Sequence, residues 1–456
     1  MNKRVYLTGV GPVSGLGLGI ESNWQALCAG TSAVAPVRAF DASAIGSPYA
    51  AEVVSGGDGF KVRNFVPKSY RKATKVMARD IELAVAAADL AARDAGLTTH
   101  GTDPDRTPSY PADRTGCHIG AGLIACDLDE LTAALNTSQK PAVNAAESPG
   151  GFDIHHWGRE GMQQLTPLWL LKYLPNMLAC HVTIIHDTRG PSNTITCGEA
   201  SGGLSVGESL RVIQRGQADL CFCGGAESKI NPMAFLRQVM TGRLIGPSPE
   251  GGAAHDPAAA VRPFDENAAG GALGEGGGIV TLEAAEAFDA RNADRPAYAE
   301  VLGFGASQTV HRATRNQTPD SEGRGLVSAA RAALREAQLE PDAVDVVVPF
   351  GLGHPDWDRP EAAALRTLLG DRLGRVPVLS PKASVGNLGA GSGGYDLCLA
   401  ARILREQALP PRINRDTPLP GLDAPDPDRL EIVLVLATGL GGQNTAMVLK
   451  RIADIA

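Results

Sequence analysis

Short runs of consecutive apolar residues set the strongest constraint on the fold of this chain. The runs at 346–348 and 432–437 are apolar at every position, and each has the length of one strand. Because successive strand side chains point to opposite faces, such strands belong in sheets that are covered on both faces. Helical patterns alternate with these runs, as in residues 75–95, where an apolar stripe at helical spacing ends at Gly96. The sequence therefore predicts an α/β fold with buried sheets.

The alternation of strands and helices continues through both halves of the chain. We predict long helices at 200–215 and 391–405, each next to an apolar strand segment. Residues 137–162 show neither period and are predicted to form an irregular insertion. The second half repeats the rhythm of the first, which suggests two similar halves joined near 284–297. Periodicity alone does not establish a duplication.

The composition predicts a large core with closely packed backbones. Of the 456 residues, 43% are hydrophobic, which is enough for one large core or for two fused domains that share one. Aromatic residues make up only 5% of the chain, whereas there are 54 glycines. We therefore expect a core of small aliphatic side chains in which backbone segments approach each other closely.

The charge balance narrows the classes of partner. The chain has 42 basic and 50 acidic residues, a net charge of −8. A net negative chain is a poor ligand for nucleic acid or for an anionic membrane surface, so we expect neither partner. An acidic protein partner would need a local basic patch, which the total charge does not reveal.

Cysteine and histidine spacing predicts no metal site and no cofactor. The eight cysteines contain no CxxC pair, so neither a zinc site nor a disulfide framework is expected. The adjacent His155 and His156 have no thiol or carboxylate cluster nearby and are interpreted as surface residues.

Glycines and Pro12 interrupt the apolar N-terminal stretch, and no run has transmembrane length. We therefore expect a cytoplasmic protein.

Eight different short motifs are distributed along nearly the whole chain. They are Arg4–Gly11, Phe40–Ser43, Arg189–Ser192, Gly216–Asp219, Gly224–Glu227, Arg262–Asp265, Gly274–Gly278 and Gly439–Asn444. In order and spacing, apart from two loops, these segments resemble the type II β-ketoacyl-ACP synthases of the thiolase superfamily. The resemblance implies a thiolase-like five-layer αβαβα sandwich of two similar halves, residues 1–284 and 297–456, and a dimer. We accordingly expect two stacked five-stranded sheets around two central helices, one of which begins near Glu199.

The position of the family's nucleophilic cysteine holds Glu199 in this chain. In the family, that cysteine lies seven residues after the serine of the Arg-Gly-Pro-Ser motif, which ends here at Ser192. The pairs Ser201-Gly202 and Val206-Gly207 then match the family without a gap, so the register is fixed on both sides. Cys197 lies two residues too early and is interpreted as a buried structural thiol.

Both catalytic histidines of the family are also replaced. Phe350 stands at the first histidine position, and Asn387 stands at the second. His354 follows four residues after Phe350 and is interpreted as a solvated loop residue. Lys382 is retained in a catalytic-loop position, and Asp396 stands where the family has an acidic residue. We predict that these two form a buried structural ion pair.

The three replacements predict that condensing activity is lost, because condensation needs a nucleophile and two polar groups that stabilise a carbanion. One interpretation is a non-catalytic partner of an active ketosynthase, similar to chain-length factors, in fatty acid, polyketide or polyene biosynthesis. Its dimer partner is then that ketosynthase, and its ligand is an acyl carrier protein or an acyl thioester. Leu123 becomes a candidate residue at the end of the acyl tunnel, although an ordinary interface leucine fits equally.

Two other interpretations stay open at this point. In the first, the chain is a homodimeric enzyme in which Glu199 acts as a general base on acyl thioesters. The backbone amides of Glu199 and Leu440 would then form an oxyanion pocket for the substrate. In the second, the chain is an acyl-carrier or lipid-binding scaffold. A Glu199→Gln substitution, which keeps the shape of the side chain, is expected to show whether Glu199 acts as a base or only fills the site.

Overall fold

Strands and helices alternate along the chain in the computed structural model, which describes residues 3–55, 59–139, 151–247, 256–291, 293, 295–309 and 319–452. The strands are β1 (Val5–Ser14), β2 (Gly17–Leu18), β3 (Val34–Pro36), β4 (Tyr49–Ala51), β5 (Thr115–Gly120), β6 (Ser192–Ile195), β7 (Leu220–Glu227), β8 (Leu273–Gly274), β9 (Gly276–Ala284), β10 (Ala299–Gln308), β11 (Val346–Val348), β12 (Ile432–Thr438) and β13 (Gln443–Arg451). The α-helices are α1 (Ile20–Cys28), α2 (Arg79–Asp94), α3 (Leu128–Thr137), α4 (Ile154–Arg159), α5 (Met177–His186), α6 (Ser201–Gln214), α7 (Pro232–Val239), α8 (Pro257–Ala260), α9 (Ala285–Ala290), α10 (Arg324–Ala337), α11 (Pro355–Leu369), α12 (Lys382–Val385) and α13 (Ser392–Glu406).

The large mixed sheet has two groups of strands that meet at β1. Its strand order is β11, β12, β13, β10, β1, β9, β7, β5 and β6. β1 pairs with β9 along most of its length, but it pairs with β10 only through Tyr6–Glu300 and Leu7–Ala299. The two expected sheets are therefore joined at a narrow junction rather than separate. The boundaries of the two predicted halves stay a prediction.

Helices α6 and α13 lie between the two groups of strands. α6 contacts β5 and β7 of the first group and β13 of the second, and α13 contacts β7, β9 and β12. Most residues of both helices are buried. α2 covers the opposite side of β1 and β9, and α10 covers β10 and β13. This order of helix and sheet layers confirms the predicted thiolase-like α/β fold, with a central helix directly after Glu199.

Glycine allows the two central helices to approach each other closely. A Cβ atom on Gly393 of α13 would lie 2.8 Å from the backbone nitrogen of Gly203 in α6. A Cβ atom on Gly202 of α6 would lie 2.9 Å from the backbone nitrogen of Gly394. Both distances are shorter than non-bonded atoms tolerate, so these helix positions require glycine.

Helix α2 begins four residues later than predicted. Residues Ala73–Val76 form a 3-10 turn, and Met77 is extended before the α-helix starts at Arg79. The apolar pattern runs through this break because Met77 packs into the same core as the helix. Among the described residues, no helix combines the length and the apolar character that crossing a membrane requires.

The prediction of an irregular insertion at 137–162 is wrong for part of this segment. Residues 140–150 lie outside the described residues, but helix α4 lies in the remainder. Asp153 fixes its first turn, because the Asp153 carboxylate accepts hydrogen bonds from the backbone N–H groups of His155 and His156. A helix of six residues is too short to leave a clear period in the sequence.

Substitution of Gly393 by alanine tests the contact between the central helices. We expect Gly393→Ala to lower the free energy of unfolding by about 1–3 kcal/mol, because the added methyl group forces two backbones apart. Gly374→Ala is the matched control, since a Cβ atom there meets nothing within 4 Å. Urea unfolding of both variants measures the difference. Equal stability of the two variants would contradict the close approach of α6 and α13.

Candidate functional site

Glu199 lies in a tight turn between β6 and α6. Gly198 has a φ of 57°, a left-handed conformation that glycine adopts without steric cost. The Ser201 hydroxyl accepts a hydrogen bond from the Cys197 N–H at 2.7 Å and donates one to the Gly198 carbonyl at 2.6 Å. The turn directs the Glu199 side chain into the interior, where the residue is 2% exposed.

Three groups contact the Glu199 carboxylate. The backbone N–H of Leu440 donates to Oε2 at 2.9 Å, and Asn387 Nδ2 donates to Oε1 at 3.2 Å. Arg243 Nη1 lies 2.8 Å from Oε1 and completes an ion pair. The structure therefore brings Glu199, Asn387 and Leu440 together. The Leu440 amide, which was expected to help form an oxyanion pocket, is bound by the protein's own carboxylate.

The surroundings of Glu199 favour its ionised form. Burial alone would raise the pKa of the Glu199 carboxyl. The charges of Arg243 and Lys229, with the hydrogen bond from Leu440, outweigh burial and lower this pKa to about 2. A carboxylate with such a low pKa is a poor proton acceptor at neutral pH.

Asn387 uses its side chain for local structure as well as for Glu199. Its Oδ1 accepts hydrogen bonds from the Gly389 N–H at 3.0 Å and from the Ser392 hydroxyl at 3.3 Å. These contacts hold the turn that leads into α13. The amide group is therefore bonded through both of its polar atoms in a buried position.

Arg243 is the functional residue that sequence analysis missed. It is 4% exposed, and its guanidinium lies over the ring of Trp357, with 4.9 Å between Cζ and the ring centroid. Nη2 donates to Gln238 Oε1 at 3.1 Å, and Nε donates to Thr241 Oγ1 at 3.3 Å. Arg243 belongs to none of the motifs and lies 44 residues from Glu199 in the sequence, so no local pattern connects the two.

Phe350 belongs to a buried apolar cluster. It packs with Leu352 and Trp357, and the partly buried Leu440 lies against them. The ring centroids of Phe350 and Trp357 are 6.1 Å apart. This cluster occupies the loop in which the resemblance predicts the first histidine. Its side chains offer no group that donates a proton to a thioester enolate or removes one.

Two buried carboxylates hold the loop 350–353. Glu361 accepts hydrogen bonds from the first two backbone N–H groups of this loop, at 2.9 and 2.8 Å. Asp358 accepts from the last two, at 2.9 and 3.1 Å. Burial raises the pKa of Asp358 to about 7 and that of Glu361 to about 8, although the N–H groups act in the opposite direction. The path of the loop is therefore fixed through its backbone.

The surroundings of Cys197 and His354 indicate structural roles for both side chains rather than reactive ones. Burial raises the pKa of the Cys197 thiol, which keeps the sulfur protonated at neutral pH. His354 is not a solvated loop residue, because its Nδ1 accepts the Asp356 N–H at 3.2 Å and caps α11. Burial also lowers the pKa of His354. Neither side chain supplies a reactive thiolate or an imidazolium to the site.

Lys382 and Asp396 form a fully buried ion pair. Lys382 Nζ donates to both carboxylate oxygens of Asp396 at 2.8 Å. The same ammonium lies 5.6 Å from the centroid of the Phe350 ring. Burial raises the pKa of Asp396, and the Lys382 charge and its hydrogen bonds act in the opposite direction. The pair connects the first residue of α12 with the first turns of α13.

Leu123 lies apart from these residues, on the loop after β5. It is 63% exposed, whereas the adjacent Gly122 packs against the buried Glu227. Its place in an acyl tunnel stays a prediction. Among the residues that the structure describes, no group of three histidine, cysteine, aspartate or glutamate side chains could hold a metal ion.

The chain matches two domain families of known proteins. Residues 2–287 match the family "Beta-ketoacyl synthase, N-terminal domain", and residues 298–416 match "Beta-ketoacyl synthase, C-terminal domain". The chain belongs to the β-ketoacyl synthase family. The predicted resemblance to type II β-ketoacyl-ACP synthases is thereby confirmed.

Curated members of the β-ketoacyl synthase family resemble the chain over its full length. The 3-oxoacyl-[acyl-carrier-protein] synthase 2 of Coxiella burnetii is 30% identical over 465 residues, which cover 99% of each chain. The enzyme of the same name from Synechocystis is 28% identical and covers 98% of each chain.

Solved structures of similar fold also cover the chain. "The ishigamide ketosynthase/chain length factor" has a TM-score of 0.79 at 24% identity, covering 99% of this chain and 100% of that one. A type II polyketide synthase complex, "AntDE:AntF", contains a chain with a TM-score of 0.77 at 22% identity and the same coverage. At this level of identity the solved structures establish the fold of this β-ketoacyl synthase family member.

The buried lysine provides a test of the charge balance in this region. We expect Asp396→Ala to lower the free energy of unfolding by about 3–5 kcal/mol, because it leaves the Lys382 charge buried without a partner. The control is the double variant Lys382→Met/Asp396→Val, which removes both charges and comes closer to the volume of the original pair. We expect its stability to lie close to that of the unmodified protein. An Asp396→Ala variant with unchanged urea unfolding would show that Lys382 finds another partner.

Proposed function

We propose that this chain is a condensation-inactive β-ketoacyl synthase homologue that acts as the partner of an active ketosynthase. The pathway class is fatty acid, polyketide or polyene biosynthesis, and the role is similar to that of a chain-length factor. The main support for this proposal is that the Glu199 carboxylate is paired with Arg243 and bound to the Leu440 amide.

Condensation by this family requires a nucleophile and a place for the negative charge of the thioester oxygen. Glu199 stands at the predicted nucleophile position, but ion pairing with Arg243 removes most of its nucleophilicity. The N–H of Leu440 cannot stabilise an oxyanion while it donates to Glu199. Phe350 and Asn387 provide no proton transfer at the two predicted histidine positions. These features support the loss of the condensing reaction.

Exposed apolar side chains support a role as a subunit of a larger assembly. Strand β6 is the last strand of the sheet order, and its first two residues are exposed. Large apolar side chains are also exposed on the preceding segment and on the loop after β5. An exposed strand edge and apolar surface are suited to contact with another chain. The exposed side chains are Leu123, Phe152, Ile154, Met162, Leu168, Leu170 and Leu171.

Two solved structures of the same fold fit this role. One is named a ketosynthase/chain length factor, and the other is a carrier protein "in complex with its ketosynthase". By analogy, we propose an intact ketosynthase as the dimer partner. Leu123, which projects from the surface, is then placed to enter the partner's acyl tunnel and limit its length.

A local basic cluster supports an acyl carrier protein as the second partner. Residues 61–79 contain no acidic residue, in contrast to the net charge of −8 for the chain. Six basic side chains of this segment are exposed, and such a cluster attracts an acidic protein. They are Lys61, Arg63, Lys68, Arg71, Lys72 and Lys75.

Assays of the chain alone and with a partner test the proposed function. With acyl- and malonyl-carrier protein, the isolated chain is expected to form no β-ketoacyl product and no acyl adduct detectable by intact mass. With a co-purified synthase that has an intact cysteine, we expect product, and we expect replacement of that cysteine by alanine in the synthase to abolish it. Product formation by the isolated chain would refute the proposal.

A charge-neutral replacement of the ion pair distinguishes the proposal from an enzyme with Glu199 as its base. Glu199→Gln alone would leave Arg243 buried without its partner, so instability would obscure the result. We therefore pair it with Arg243→Met, which keeps volume and removes the second charge. In complex with the active synthase, Glu199→Gln/Arg243→Met is expected to leave product amount and length nearly unchanged. If the isolated chain converts acyl-ACP substrates and this variant does so about 10²–10⁴-fold more slowly, Glu199 would be identified as a general base.

A further inference from the structure

Arg243 connects an exposed turn with the buried Glu199. The turn that precedes it is at the surface, where Met240 is 77% exposed and Gly242 is also exposed. Arg243 follows directly and is 4% exposed. Its side chain therefore runs inward from the surface, and its guanidinium ends 2.8 Å from the Glu199 carboxylate.

The guanidinium is held on several sides. The Trp357 ring lies against it at 4.9 Å, and Glu199 neutralises its charge. Gln238 and Thr241 accept hydrogen bonds from its other nitrogens. A planar guanidinium that is stacked on a ring and paired with a carboxylate is restricted in its movement.

We infer that Arg243 is a plug that closes this subunit to the pantetheine arm of an acyl carrier protein. A thioester on that arm reaches residue 199 only if a continuous path leads from the surface to the site. Arg243 runs from the exposed turn to Glu199, and the buried Trp357 ring lies against its guanidinium. The arm would have to displace a buried cation and leave a buried carboxylate without its counter-ion, which is strongly unfavourable.

This inference goes further than the proposed function. A subunit can lack its catalytic residues and still accept an acyl-pantetheine ligand in the vacant site. Closure by Arg243 excludes that class of ligand from this subunit. The growing chain is then confined to the site of the partner, even when the carrier protein contacts the basic cluster 61–79.

A cysteine introduced in place of Glu199 reports whether the arm reaches the site. The probe is bromoacetyl-pantetheine, whose carbon forms a bond to the sulfur of the introduced cysteine with release of bromide and of the thiol proton. We compare Glu199→Cys with Glu199→Cys/Arg243→Ala by peptide mass mapping. In the single variant the Trp357 ring, Gln238 and Thr241 still hold Arg243 after its carboxylate partner is removed. Alkylation of the introduced thiol is expected to be about 100-fold faster, or more, in the double variant, because only the single variant must open a closed site. Glu199→Ala/Arg243→Ala is the matched control for labelling at other positions.

The buried Cys117, Cys223 and Cys398 serve as internal checks of folding. They must stay unmodified in every variant. Should the alanine variant fail this check, Glu199→Cys/Arg243→Ser replaces it, since a serine hydroxyl can bond to Gln238 or Thr241. Equal rates in the single and double variants would overturn the plug, and so would a folded double variant whose introduced thiol stays unlabelled. Neither result would affect the proposed loss of condensation, which is measured separately.

Discussion

The close contact between α6 and α13 is the constraint on which the rest of the structure depends. Gly202 and Gly393 let the backbones of the two helices meet without intervening side chains. Glu199 lies just before the first of these helices, and Asn387 lies shortly before the second. Because both helices are locked together at their beginnings, the two side chains meet although 188 residues separate them. The geometry of the site is therefore a property of the helix contact.

A buried carboxylate at such a place needs compensation. Transfer of an isolated charge into the interior is strongly unfavourable, and a charged neighbour with further hydrogen bonds offsets that cost. Arg243, the Leu440 amide and Asn387 supply these contacts for Glu199. The same contacts that stabilise the buried carboxylate also lower its pKa, which makes it a poor proton acceptor. The stability of this charge and its weak basicity thus have a common physical origin.

The sequence was sufficient for those parts of the molecule that short motifs encode. Glu199, Phe350 and Asn387 stand at positions that the resemblance to the family's motifs assigns, so the resemblance implied where they lie in the fold. Arg243 could not be predicted in this way, because its partner is remote in sequence and no periodicity links a loop arginine to a buried carboxylate. The occupied Leu440 amide was missed for the same reason. Helix α4 was missed because six residues are too few for a helical pattern.

The carboxylates beneath the loop 350–353 separate the shape of that loop from the identity of its residues. Glu361 and Asp358 bind backbone N–H groups, which every amino acid except proline provides. Substitutions at positions 350 and 352 can therefore leave the course of the loop unchanged. Gly351 and Gly353, with φ of 51° and 84°, are constrained together with the two acids. A histidine introduced at position 350 would therefore enter a loop whose backbone is already held in place. The scaffold of this region does not depend on the chemistry of the side chain at position 350.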